Sequence, residues 1–269
     1  PTEILAKQHF KLAKEIFPEN LKIDLISGKS DYKSRKDILS RLSKNKIDII
    51  FGTHAIFQKK VNFKNLGLII IDEQHKFGVN QRKKLSDKGG DNCDILLMTA
   101  TPIPRTLTMT IYGDMDLSII REKPKNRKPV KTYSKLENNI NEVIKFVKKE
   151  IDLGNQIFWV CPLIEESKKI DHESAVQKFN YLKKLFPNNV ALLHGKINTE
   201  EKETILNDFK KNKFKILVST TIIEVGIDFP NANVIIIENA NKFGLSQLHQ
   251  LRGRVGRGDK DSKCILMFK

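Results

Sequence analysis

Two adjacent acidic residues, Asp72 and Glu73, are the first candidates for chemistry in this 269-residue sequence. They follow four aliphatic residues, 68–71, a run that is typical of a strand buried on both faces of a parallel sheet. Polar residues at the carboxyl end of such a strand lie where open α/β sheets bind ligands. An aspartate there can hold Mg²⁺, and a neighbouring glutamate can orient water for attack on a terminal phosphate. A solvated acidic loop would have the same pattern, so the other motifs in the sequence decide between it and a phosphate-cleaving site.

A second candidate site contains three arginines separated by glycines, Arg252, Arg254 and Arg257. This spacing disfavours a surface helix, whereas the planar guanidinium group suits phosphate oxygens and glycine lets the backbone approach them. We therefore expect Arg254 and Arg257 to act across a cleft from the acidic pair and to stabilise a transferring phosphoryl group. The alternative is a basic, solvated turn.

A phosphate-binding loop would complete such a site, but residues 1–269 contain no complete sequence for one. Gly28, Lys29 and Ser30 match the end of the pattern Gly-x-x-x-x-Gly-Lys-Ser/Thr, yet Ile23 stands where its first glycine is required. We therefore reject this segment as a phosphate loop.

Hydrophobic periodicity places the candidate residues among alternating helices and strands. We predict helices at 4–16, 31–44 (capped by Ser30 or Asp31), 140–151, 175–186 and 199–211, and strands at 21–26, 47–51, 68–71, 91–98, 156–161, 190–193, 215–219, 233–238 and 264–268. Residues 121–133 are rich in Lys, Arg and Pro, so we place a domain boundary there. The predicted fold class is α/β, with two parallel-sheet lobes at 1–125 and 126–269.

The composition indicates a globular protein with a basic surface. The net charge is +16 and the pI is about 9.6, which favours a polyanionic partner. However, 39 of the 48 basic residues are lysine, so a general bias towards lysine would explain the charge equally well. No apolar run reaches the ~18 residues that a membrane span requires, and no signal peptide opens the sequence. The three cysteines match no metal-binding spacing, and we expect reduced thiols packed in cores.

The ordered motifs resemble those of superfamily 2 helicases, and the resemblance covers essentially the whole chain. Motif Ia matches 1–6, motif Ib 52–54, motif II 72–75, motif III 99–102, motif V 220–228 and motif VI 250–257. The resemblance implies RecA-like lobes, the first truncated at its amino terminus, with ATP and Mg²⁺ as cofactors. At Gln74, Val225 and the run Leu248-His249-Gln250, this sequence is most similar to the RecG family. Transcription-repair coupling factors share with it the context Phe77-Gly78-Val79.

The resemblance also implies roles for individual residues. Asp72 would contact Mg²⁺, Glu73 would activate water, and His75 would link the nucleotide site to motif III. Residues in contact with nucleotide or the transferring phosphate would be Gly226, Asp228, Gln250, Arg254 and Arg257. Residues in contact with DNA would be Thr2, Thr53, His54, Thr99, Thr101 and Thr221.

Other residues have plainer interpretations. We interpret His9 and His172 as surface or helix-packing residues, while His194 and His249 lie in motif-like contexts. Phe158 and Trp159 fall in a predicted strand, where core packing is favoured over base stacking.

The leading functional hypothesis is an ATP-dependent DNA helicase or translocase acting on branched DNA, such as stalled forks and Holliday junctions, in recombination and repair. The alternatives are a transcription-repair coupling translocase and a non-catalytic DNA-binding module. Because the sequence starts at Pro1 and has no phosphate loop, we expect a piece of a longer protein that is inactive alone. We expect a cytoplasmic monomer with DNA as its partner, no membrane association and no structural metal.

Overall fold

The computed structural model describes residues 2–28, 32–74, 77–90, 92–99, 116–122, 128–162, 168–220 and 229–269. These residues form two compact units, the first within residues 2–99 and the second within residues 116–269. None of the helices in these ranges combines the length and apolar composition needed to span a membrane. Several predicted features fall outside the described residues, namely the helix cap at Ser30 or Asp31, His75, Thr101, Thr221, Gly226 and Asp228.

The first unit begins with helix α1 (Glu3–Ile16), which packs on the parallel strands β1 (Ile23–Ile26) and β2 (Ile49–Gly52). Helix α2 (Tyr32–Ser43) buries Ile38 and Leu42 in the same core as Ile26. At the end of β2, a Cβ atom on Gly52 would lie 2.7 Å from the carbonyl oxygen of Ile26. Only glycine therefore fits at this point, directly before Thr53.

A second parallel pair in this unit consists of strands β3 (Leu68–Ile71) and β4 (Asp94–Leu97). Helix α3 (Val79–Gly89) supplies Leu85 to the core that contains Ile69 and Ile71. On the other face, Leu68 and Ile70 are 55% and 57% exposed. The prediction that the strand at 68–71 is buried on both faces is therefore wrong, because only one of its faces is covered by residues that the structure describes.

The second unit contains a six-stranded parallel sheet with the strand order β5-β10-β9-β6-β8-β7. The strands are β5 (Val130–Leu136), β6 (Gln156–Val160), β7 (Val190–Leu193), β8 (Ile216–Ser219), β9 (Ala232–Ile237) and β10 (Ser262–Phe268). The helices are α4 (Ile140–Asp152), α5 (Lys168–Leu185), α6 (Thr199–Lys210) and α7 (Leu245–Arg252). This alternation confirms the predicted α/β class.

Helices cover both faces of this sheet. On one face, α4 and α5 share a core with Ile157, Trp159 and Ile236. On the other face, Phe158 packs against Phe209 of α6 at a ring-centroid distance of 5.4 Å. Phe158 and Trp159 are both fully buried, so their predicted place in the core is confirmed.

Three elements were absent from the sequence-based prediction. Strand β5 is an edge strand whose residues are mostly exposed, so it carries no hydrophobic alternation, and it starts inside the segment interpreted as a linker. Helices α3 and α7 both begin after a Phe-Gly pair and have a glutamine at their third position. The Gln81 and Gln247 side chains accept hydrogen bonds from the N–H groups of Gly78 and Gly244, at 3.2 and 3.0 Å. These caps start helices whose hydrophobic periodicity is too weak to predict.

Candidate functional site

The acidic pair lies in a sharp turn where β3 ends. The N–H of Met98 donates to the carbonyl oxygen of Ile71 at 2.8 Å, and the N–H of Gln74 donates to the carbonyl oxygen of Met98 at 3.1 Å. These bonds attach the turn to the end of β4. Asp72 and Glu73 therefore lie at the carboxyl edge of the β3–β4 pair, as predicted from their place after an aliphatic strand.

The backbone of Glu73 has a φ of +51°, in the left-handed region that non-glycine residues rarely adopt. Glu73 is buried, and its backbone N–H donates a hydrogen bond to Asp72 Oδ1 at 2.8 Å. Unusual backbone conformations of this kind cluster at functional sites, where the surrounding structure holds them. The turn thus places both acidic residues at the end of β3, with the Glu73 N–H bound to one Asp72 oxygen.

Helix α1 brings His9 to the same place. The Nε2 atom of His9 lies 3.5 Å from Asp72 Oδ2, so each Asp72 oxygen has a neighbour that favours the charged form. His9, followed by the Glu73 N–H, lowers the pKa of Asp72 below its ordinary value, against the opposing effect of burial. The interpretation of His9 as a surface or helix-packing residue missed this contact. The spacing of seven residues, or two helical turns, between Thr2 and His9 was the available signal.

The threonines predicted to bind DNA lie near the carboxyl ends of the strands. Thr2 caps α1 and accepts a hydrogen bond from the N–H of Leu5 at 3.3 Å. Thr53 follows β2, and Thr99 lies two residues beyond β4. The neighbouring Glu3 accepts a hydrogen bond from Ser27 at 3.4 Å, which ties the start of α1 to the end of β1. Thr2 and Thr53 thus lie by the adjoining ends of β1 and β2.

His54 is exposed, and its ring also contacts two phenylalanines. Its ring lies 4.9 Å from the ring of Phe77 and 6.0 Å from that of Phe57. This packing anchors the short 3-10 helix His54–Phe57, which follows Thr53. Its role in DNA binding stays a prediction.

Asp72 and Glu73 fit the requirements of a magnesium site that phosphate and water complete. Mg²⁺ prefers oxygen ligands and commonly takes only one or two carboxylates from the protein. The half-exposed Asp72 side chain offers such oxygens. No cluster of three or more His, Cys, Asp or Glu side chains suited to a metal occurs among the described residues.

In the second unit, the residues predicted to contact phosphate lie in the last turn of helix α7 and directly after it. Gln250 lies in its last turn, and Arg254 comes two residues after its end. Arg254 is only 8% exposed, whereas Arg257 is exposed. Gly256, between them, has a φ of +78°, and a Cβ atom there would lie 3.0 Å from the Val130 side chain. Glycine is thus favoured there by the positive φ and the tight contact with β5, and the two arginines occupy different environments.

A partly buried ion pair lies at the carboxyl edge of the same sheet and was not predicted from the sequence. Glu238, directly after β9, forms an ion pair with Lys178 of α5 at 2.7 Å. The thiol of Cys161, directly after β6, lies 3.7 Å from the same carboxylate. Burial, followed by the charge of Glu238, raises the pKa of Cys161 far above its ordinary value. The pair holds α5 to the ends of two central strands.

Comparisons with known proteins identify the family. Residues 1–110 match the DEAD/DEAH box helicase family, and residues 138–259 match the helicase conserved C-terminal domain. The ATP-dependent DNA helicase RecG of Bacillus subtilis is 49% identical over 99% of this chain and 39% of its own length, and that of Streptococcus pneumoniae is 51% identical over 99% and 40%. A solved structure of RecG bound to a three-way DNA junction is 44% identical, with a TM-score of 0.75, over 100% of this chain and 35% of that one.

The chain belongs to the RecG family. It spans about 40% of the length of these two curated relatives. Yeast Dbp5 bound to RNA, at 19% identity and a TM-score of 0.72, shows the fold alone. The predicted RecA-like α/β fold class and the predicted RecG family are both confirmed. The domain limits 1–125 and 126–269, and the roles of individual site residues, stay predictions.

Proposed function

We propose that this RecG-family chain supplies ATP-hydrolysing and DNA-gripping residues to an ATP-dependent helicase or translocase that acts on branched DNA in recombination and repair. The observation that carries the proposal is the turn at Asp72 and Glu73, placed at a strand end and in contact with the helix that Thr2 caps. The similarity to a RecG that was solved bound to a three-way DNA junction supports a branched substrate. The proposal includes DNA as the partner and a monomeric protein.

In the proposed mechanism, Asp72 would hold Mg²⁺, and the ion would neutralise charge on the phosphates of ATP. Glu73 accepts a proton from the attacking water, and the turn holds this residue at the strand end beside Asp72. Gln250, Arg254 and Arg257 contribute polar and positive groups from the second unit. His75 links the nucleotide site to motif III, and Gly226 and Asp228 contact the nucleotide, as the family resemblance implies. The residues proposed to contact DNA are Thr2, Thr53, His54, Thr99, Thr101 and Thr221.

The DNA contacts suit a motor that moves along many sequences. Threonine hydroxyl groups and backbone N–H groups bind phosphate oxygens without reading bases. The net charge of +16 adds a sequence-independent attraction that weakens as salt rises. A protein of this kind binds the DNA backbone without regard to sequence and recognises the branch by the shape of the DNA.

The hydrolysis site is tested by measuring ATPase activity with and without branched DNA. Residues 1–269 contain no complete phosphate loop, so we expect this chain alone to show no DNA-stimulated ATPase above background. The second protein for the test, termed here the extended protein, is residues 1–269 together with flanking sequence that supplies a phosphate loop. In the extended protein, Glu73→Gln should lower kcat by at least ~10²-fold because the water loses its base.

The control is Glu15→Gln, which makes the same chemical change at an exposed position of α1 and should leave kcat unchanged. Turnover by residues 1–269 alone that Glu73→Gln abolishes would show that the phosphate loop is dispensable. Full activity of Glu73→Gln in the extended protein would remove this residue from the mechanism. If the extended protein is active only on linear duplex DNA, the proposal of a branched substrate is contradicted.

A further inference from the structure

Helix α1 connects two parts of the first unit that the proposed function assigns to different tasks. Its N-cap, Thr2, belongs to the proposed DNA contacts, and His9 lies against Asp72 two helical turns later. An α-helix rises 1.5 Å per residue, so these residues are about 10 Å apart along one continuous hydrogen-bonded element. A displacement at one end of α1 is therefore carried to the other.

The contacts at each end of α1 are specific. Near Thr2, Glu3 accepts from Ser27 at the end of β1 and forms an ion pair with Lys7 at 3.6 Å. At His9, Nε2 lies 3.5 Å from Asp72 Oδ2, while the other Asp72 oxygen accepts from the Glu73 N–H. The two oxygens of Asp72 are thus directed by two different elements, α1 and the turn after β3.

The contact between His9 and Asp72 has little value as a stabilising ion pair. The two side chains are 44% and 34% exposed, and partly exposed pairs typically contribute little to the free energy of folding. Its value lies in orientation, because groups that hold a metal ligand in place commonly change metal affinity or activity by ~10–100-fold when removed. The buried residues Leu5, Ala6 and Ala13 keep α1 in position for this role.

We propose that His9 is a positioning residue for Asp72, and that α1 transmits the DNA contact at its amino end to this carboxylate. The inference rests on the proposed function and deepens it, because it names the element through which DNA stimulates hydrolysis. DNA bound at Thr2 fixes α1, which fixes His9 and aligns Asp72 Oδ2. In the absence of DNA, α1 is held by its own packing alone and the carboxylate is aligned less often.

The contact itself is tested without nucleotide or metal in the 269-residue chain. With histidine labelled in its ring, the NMR resonances of His9 are assigned from their loss in His9→Gln. We expect Asp72→Asn to shift the His9 ring resonances and to leave those of His249, whose ring lies against Arg252 in the second unit, unchanged. Identical His9 resonances in the two proteins would overturn the proposal.

The coupling is tested in the extended protein by the ratio of ATPase kcat with and without branched DNA. We expect His9→Ala to lower this ratio by ~10-fold and to raise the Mg²⁺ concentration for half-maximal activity, with a smaller effect on DNA-free turnover. His9→Gln keeps an N–H donor at a similar reach and should retain most of the stimulation. Lys11→Ala, an exposed substitution on the same helix, is the matched control.

The outcomes separate the two proposals. If the unmodified extended protein shows no DNA-stimulated ATPase, the proposed function fails and the coupling through α1 fails with it. If the unmodified protein is stimulated and His9→Ala keeps the full stimulation, only the role of His9 is overturned. An equal loss with and without DNA, which His9→Gln does not repair, would assign His9 a structural role.

Discussion

At the scale of single residues, the two arginines after α7 differ in a way that their spacing conceals. Arg257 is exposed, whereas Arg254 is almost fully buried. A buried guanidinium group contributes to folding as well as to any charge that it directs outward. The hypothesis that both arginines stabilise a transferring phosphoryl group therefore leads to a different expectation for each of them.

We predict that Arg257→Ala lowers ATPase kcat of the extended protein by ~10²-fold or more with no change in unfolding, because an exposed arginine can stabilise transition-state charge without supporting the core. Arg254→Ala should lower both kcat and the free energy of unfolding. Arg35→Ala, a change in the first unit that leaves both arginines in place, is the control. Steady-state kinetics and urea titrations measure the two quantities, and equal effects of both substitutions on stability would contradict the prediction.

Two buried cysteines give the protein a dependence on alkaline pH. Burial raises the pKa of Cys264 to about 11, whereas a thiol in the unfolded chain has a pKa of about 8.5. The Cys264 thiol therefore keeps its proton to a higher pH in the folded state than in the unfolded chain. This stability is complete below the unfolded pKa and is lost as pH rises towards the folded pKa.

We predict that the free energy of unfolding falls by about 2 kcal/mol between pH 8 and pH 10.5 through Cys264, because its thiol ionises more readily in the unfolded chain. In Cys264→Ala this part of the loss should disappear. Urea titrations at both pH values measure it, and Cys93→Ala, at a partly exposed thiol, serves as the control. An equal pH dependence in wild type and Cys264→Ala would rule the mechanism out.

At the scale of elements, a buried polar network joins the starts of three strands to the end of α4. Glu150 is 2% exposed and accepts from Lys263 at 2.6 Å and from Asn155 at 2.7 Å. Asn155 in turn accepts from Asn233 at 3.0 Å, and Asn233 accepts from Ser262 at 3.4 Å. The network fixes α4, β6, β9 and β10 at the amino-terminal edge of the sheet.

We predict that Lys263→Met lowers the free energy of unfolding by about 2 kcal/mol or more, because it leaves the Glu150 carboxylate buried without its cation. Adding Glu150→Gln should recover at least half of the loss. Lys213→Met is the matched control, since its ion pair with Asp208 is largely exposed and should contribute less than ~1 kcal/mol. Equal losses at Lys263 and Lys213, measured by urea unfolding, would contradict the prediction.

At the scale of the whole molecule, the two units differ in how much core they contain. The described part of the first unit has two separate strand pairs with small cores, one of them exposing Leu68 and Ile70. The second has one continuous six-stranded sheet covered on both faces. The burial of apolar surface is the main favourable term in folding, so the second unit should be the more stable.

We predict that urea unfolds the protein in two steps, since the smaller cores of the first unit give way first. Trp159 is the sole tryptophan and is fully buried in the second unit, so its fluorescence reports that unit alone, whereas far-UV circular dichroism reports both. Ellipticity should therefore fall at a lower urea concentration than fluorescence changes. Ile26→Ala should move only the early step and Ile216→Ala only the late one, and coincident transitions would contradict the prediction.

Much of this architecture follows from local sequence patterns. Alternating hydrophobic periods locate most helices and strands to within a few residues, because each pattern reflects one buried face. The aliphatic run before Asp72 places the acidic pair at a strand end without any tertiary information. Edge strand β5 and helices α3 and α7 escape this reasoning, because exposed edges and short capped helices have no strong period.

The sequence by itself determines the types of residues at the site, their order along the chain and the family to which the chain belongs. Only the tertiary structure decides that Glu73 adopts a left-handed backbone, that Arg254 is buried and that His9 meets Asp72. The physical reason is that such features depend on contacts between segments that are distant in sequence, as between His9 of α1 and Asp72 after β3. Local patterns specify which face of an element is buried, and packing alone specifies what it is buried against.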